Sequence, residues 1–134
     1  MAAEGLTTIQ SSFGPKETMA RLEGEITRRG LVIFTRIDHA EKAKQVGLPL
    51  RPTELIIFGN PKTGTPLMQS NQTIGIDLPL KALVWQDAHG ETWLSYNDPV
   101  WLAKRHGLNA EADRVISTIT ATLSAIAEEA TGHP

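Results

Sequence analysis

The run Gly59-Asn60-Pro61-Lys62-Thr63-Gly64-Thr65 comes nearest to chemistry by residue type. Its glycines bend easily, Lys62 brings a mobile positive charge, and Thr63 and Thr65 bring hydroxyls. Thr65-Pro66 reads as the start of a short helix running to about Asn71, with threonine at the N-cap and proline at the first helical position. The first amides of a helix lack intrahelical partners, so a loop leading into one suits a small carboxylate or phosphate. A nucleoside triphosphate does not fit, because a P-loop needs Lys and then Ser or Thr after its last glycine, and here Thr65-Pro66 follows Gly64. The competing reading is structural: Asn60, Pro61 and Gly64 make turns and Thr65 caps its helix. The candidate ligand residues are Asn60, Lys62, Thr63, Gly64 and Thr65, joined by Tyr96, which ends a strand in Ser-Tyr-Asn-Asp-Pro and is placed at a pocket mouth.

Titratable and nucleophilic side chains are sparser. Asp38-His39 is a candidate acid/base pair beside a pocket, set against a helix cap and a solvated imidazole. No two of His39, His89, His106 and His133 have metal-ligand spacing, cysteine is absent, and no Gly-x-Ser-x-Gly elbow occurs. Asp77 and Asp98 read as loop and helix-start residues. The sequence thus implies no metal and no cofactor. Two functional classes stay open: a small-ligand binding or sensing protein, and an enzyme using Asp38, His39, Lys62 or Tyr96.

These residues must be positioned by elements that the sequence punctuates clearly. A strand is predicted over 6–12. A helix opened by Pro15 follows, with Met19, Leu22 and Ile26 at helical spacing and Gly30 ending it. Leu31 to Ile37 is the clearest strand, followed by a helix over about 39–46 between the N-cap Asp38 and Gly47. Strands over about 54–58, 81–87 and 91–97 come next, the last two closing on Ala88-His89-Gly90. Asp98-Pro99 starts a short helix ending near His106-Gly107. The final helix spans about 110–130, with Ala112, Val115, Ile116, Ile119, Leu123 and Ile126 along one stripe.

The order strand, helix, four strands, helix describes an α+β fold in one domain over 1–134: a five-stranded antiparallel sheet with both long helices on one face, like the TATA-binding-protein-like class. With Asp87 opposite Glu91, Trp85 faces Trp93 and Leu83 faces Ser95 on one side, while Val84 faces Leu94 and Ala82 faces Tyr96 on the other. Both faces are apolar, although two helices can cover only one. The insertions at 39–52 and 60–80, or a second copy in a homodimer, must cover the rest.

Composition bounds the partners. A formal charge of −2 gives no basic field for nucleic acid, and no run of eighteen apolar residues suggests a membrane span. The expectation is a cytoplasmic domain with neither nucleic acid nor membrane as partner.

Phe34-Thr35-Arg36-Ile37-Asp38-His39-Ala40, Arg51-Pro52-Thr53-Glu54-Leu55, Gly59-Asn60-Pro61-Lys62, Gly64-Thr65-Pro66-Leu67-Met68, Asp77-Leu78-Pro79-Leu80-Lys81 and Ser95-Tyr96-Asn97-Asp98-Pro99 follow one another between Phe34 and Leu108. As a series they resemble the blocks of the bacterial and archaeal "domain of unknown function 302" family. The resemblance implies the same fold and a tendency to dimerise, and it brings no activity, cofactor or catalytic residue.

Overall fold

Three prolines each open a helix and three polar side chains cap one, which fixes most element boundaries in the computed structural model, where residues 3–133 are described. The elements are β1 (Leu6–Ser11), α1 (Pro15–Arg28), β2 (Val32–Asp38), α2 (His39–Gln45), β3 (Thr53–Gly59), α3 (Pro61–Ser70), a 3-10 segment (Gln72–Asp77), β4 (Leu80–Gln86), β5 (Thr92–Asn97), α4 (Pro99–Arg105), a 3-10 turn (Ala110–Ala112) and α5 (Asp113–Thr131). The strands form one antiparallel sheet in the order β1-β5-β4-β3-β2. The α+β architecture and the hairpin register, Trp85 against Trp93 and Ala82 against Tyr96, are as the sequence predicts.

One face of the sheet carries the core. Ile56, Phe58, Ala82, Val84 and Leu94 are buried there against Met19, Leu22 and Ile26 of α1 and Ile116, Ile119, Leu123 and Ile126 of α5. Each of these side chains larger than alanine gains roughly 1.5–3 kcal/mol by leaving water, so this layer dominates stability.

Three expectations change. The helix placed at Pro66 starts at Pro61, with Asn60 as its N-cap and Pro66 inside it. Asn60-Pro61 carries the same cap-then-proline signal as Thr65-Pro66, and the earlier one is used. Second, regular alternation along Leu31 to Ile37 predicts Ile33 and Ile37 on one face, but a bulge between Ile33 and Thr35 pairs Ile33 with Phe58 and Ile37 with Leu55, on opposite faces. Third, of the two coverings left open for the second face, the insertions do not supply one. The segments from α3 to α4 pack with α5, and Leu55, Ile57, Leu83, Trp85 and Trp93 stay half-exposed.

Candidate functional site

At the end of the sheet where β3 runs into α3, a cavity of about 220 Å³ opens to solvent. Asn60, Thr63, Gly64 and Thr65 form its polar side; Phe34, Met68, Leu78, Pro79, Leu80 and Ile119 form its apolar walls. Phe34 reaches it because the bulge turns that residue out of the ladder, leaving it 52% exposed beside Gly59. Gly64 leaves the cavity open on this side: a Cβ there would stand 3.8 Å from Leu78, in ordinary contact, and a larger side chain would extend into the space.

The start of α3 has no backbone amides to spare. Asn60 Oδ1 accepts from the Lys62 amide at 2.9 Å, and the Asn60 carbonyl accepts from the amides of Thr63 and Gly64 at 2.9 and 3.0 Å and from the Thr63 hydroxyl at 2.9 Å. Pro61 has no N–H at all. An anion held by free helix amides therefore finds them already used, and what faces the cavity is hydroxyl and amide side-chain chemistry on an apolar floor.

Of the residues predicted from sequence, Asn60, Thr63, Gly64 and Thr65 come together. Lys62 is exposed and lies outside this lining. Tyr96 is buried among the core residues, where burial raises its phenol above the ordinary value and the Thr7 hydroxyl partly offsets this. Asp38 caps α2 through the Glu41 amide at 2.9 Å, and His39 is exposed on the same helix. Since Asp38 pairs with Glu54 at one end of β3 and Lys62 follows its other end, Asp38, His39, Lys62 and Tyr96 share no pocket.

A second polar cluster escapes sequence reading. His106, 9% exposed, places Nε2 at 2.5 Å from Asp77 Oδ2 and Nδ1 at 2.8 Å from the Thr73 hydroxyl. Arg105 donates to both Asp77 oxygens at 3.1 and 2.9 Å, and Asn71 donates to the His106 carbonyl at 2.6 Å. Lys81 donates to the carbonyls of Asp77 and Pro79, and burial lowers its pKa. The cluster fastens the 3-10 segment to the end of α4 and lies outside the cavity lining. Its partners are about thirty residues apart in sequence, so no local spacing announces it.

A broader groove of about 1460 Å³ lies at the opposite end of β3, between the start of α1 and the arm formed by α2 and residues 46–52. Arg36 crosses its floor, paired with Glu23 at 2.6 Å and Glu54 at 2.8 Å.

The profile described as Domain of unknown function DUF302 matches residues 7–126. Two curated relatives, both named "Fluoride-specific ion channel FluC 1", from Brucella suis biovar 1 (strain 1330) and Brucella abortus biovar 1 (strain 9-941), are each 46% identical over 128 residues, 96% of this chain. The match covers 50% and 47% of their lengths, so the chain spans about half of the curated relatives it matches. Among solved structures, an uncharacterised conserved DUF302 protein from Bacillus stearothermophilus superposes with a TM-score of 0.84 over 96% of this chain and 99% of its own, at 24% identity, a likeness of fold. No helix of the described residues is long and apolar enough to cross a membrane.

Proposed function

Because the chain belongs to the DUF302 family, to which no activity is attached, we propose from its own geometry that it is a small-ligand binding module that dimerises through its open sheet face. The cavity at the start of α3 carries this reading. Its volume lies below the roughly 300–1,000 Å³ of sites for drug-sized ligands, and its walls are apolar apart from Asn60, Thr63 and Thr65. It suits a small, uncharged metabolite with an apolar body and one or two hydroxyl or carbonyl groups. The occupied amides of α3 favour such a molecule over an anion. In a metabolite screen by NMR, a binder should move the amide signals of Thr63, Gly64, Gly75 and Leu80 together, and Gly64→Leu, which fills the cavity, should abolish the effect. Binding that survives Gly64→Leu would place the ligand elsewhere.

The relatives favour a second, compatible reading. They bear the name of a fluoride channel, and this chain, which matches half of their length, has no helix among its described residues long and apolar enough to cross a membrane. In this reading the domain is a water-exposed module that works beside such a channel. Replacing the matching half of the Brucella suis protein with this chain should preserve fluoride efflux from loaded cells, while deleting that half should impair it. Equal efflux after deletion would sink the association.

A further inference from the structure

The arm that overhangs the groove is the least explained part of the surface. None of α2 is buried, and Val46, Leu48 and Leu50, just beyond it, are 72%, 62% and 49% exposed. Lys42, Lys44 and Arg51 flank this tip and enter no ion pair among the described residues. Glu41 is the one carboxylate between residues 39 and 52, so the arm is cationic in a chain whose formal net charge is −2.

The tip is also rigidly presented. Gly47 adopts φ +76° after α2, its amide donates to the Lys44 carbonyl at 3.0 Å, and the Leu48 amide donates to the Ala43 carbonyl at 2.9 Å. These two bonds make a Schellman ending, which satisfies carbonyls of the last helical turn and fixes the path of the chain into Leu48, whose side chain stays exposed at the mouth of the groove. Little further ordering is then needed for the tip to enter another medium.

We propose that this arm docks the domain on an anionic lipid surface, Val46, Leu48 and Leu50 entering the headgroup boundary while Lys42, Lys44 and Arg51 meet lipid phosphates. Apolar side chains at the tip with cations around them are what interfacial binding requires. A second copy of the chain is the weaker occupant: the strand residues of its open face are apolar or neutral apart from Lys81, and the two carboxylates at the edge of that face, Asp87 and Glu91, already accept from Trp93 and Gln10. The expectation of no membrane partner rested on the lack of a spanning segment, and docking needs none.

Flotation of the full chain with vesicles tests the proposal. Vesicles of phosphatidylcholine with phosphatidylglycerol should carry the protein at low salt, and pure phosphatidylcholine should not. Each cation removed should weaken binding about fivefold, so Lys42→Gln with Lys44→Gln should weaken it some twentyfold or more, and Leu48→Ser with Leu50→Ser should abolish it. Circular dichroism should show all variants folded, since the positions are exposed. Absence of binding, or binding indifferent to lipid charge, overturns the proposal. So does a serine variant that falls from dimer to monomer in light scattering while still floating, which would assign the arm to a second copy.

Discussion

Burial moves the phenol of Tyr96 above its ordinary range near pH 10, with the Thr7 hydroxyl pulling the other way. A group whose pKa is raised on folding contributes stability that is complete below its unfolded value and lost as pH climbs through the folded one. Stability should therefore fall above about pH 10. Lys81 has the opposite sign: burial lowers its pKa, so its contribution improves as pH rises through the folded value towards the unfolded one. Comparing wild type with Tyr96→Phe separates the two, because Lys81 is common to both. At pH 8 the variant should be less stable by about 1 kcal/mol, the worth of one hydrogen bond. Thermal melts should show this gap narrowing between pH 9 and 11, and a constant gap would mean that the phenol does not ionise against the fold. The sequence placed Tyr96 at a pocket mouth, but it stands in the same row as Ala82 and Thr7 on the helix-covered side. Strand alternation reveals that row only once it is known which face the helices take.

At the scale of elements, α3 separates the legible from the illegible. Both Asn60-Pro61 and Thr65-Pro66 satisfy the rule for a helix start, and nothing local chooses between them. The choice is tertiary: starting at Pro61 lets Leu67 reach the core, where it is 1% exposed. Asn60→Ala should accordingly cost about 1 kcal/mol in urea unfolding, while Thr65→Ala, at an exposed interior position, should stay within about 0.5 kcal/mol of wild type. The reverse order would restore the later start. The strands were readable because their apolar runs are bounded by Gly, Pro and Asp, and the β4-β5 register followed from a three-residue turn. The bulge at Phe34 was not, since an unpaired residue leaves no compositional mark, and with it went the cavity wall. The Asp77, Arg105 and His106 cluster was hidden for another reason, because only the packing of the 3-10 segment on α4 brings its members together.

At the scale of the whole molecule, the side of the sheet away from the helices stays half-exposed. Trp85 and Trp93 lie nearly parallel, with ring centroids 6.1 Å apart and planes at 24°. Their N–H groups turn back to Ser95 Oγ at 2.9 Å and Asp87 Oδ2 at 2.8 Å, leaving the ring faces as apolar surface. If that face joins two copies, light scattering at micromolar concentration should give a dimer mass. Trp85→Glu should give a folded monomer, since the side chain is only half-buried in the single chain. A monomeric wild type would refute the interface.

The strand order has a consequence in time as well as in space. Strands β2 to β5 each pair with their neighbour in sequence, but β1 pairs only with β5, joining Leu6 to Asn97. That junction must close a loop of about ninety residues, so its entropy is recovered only after the rest of the sheet exists. Folding should then end with β1 sliding into place, and native-state hydrogen exchange should find the amides of Thr7 to Gln10 opening below the global unfolding energy. Exchange of those amides only on global unfolding would mean that β1 belongs to the nucleus.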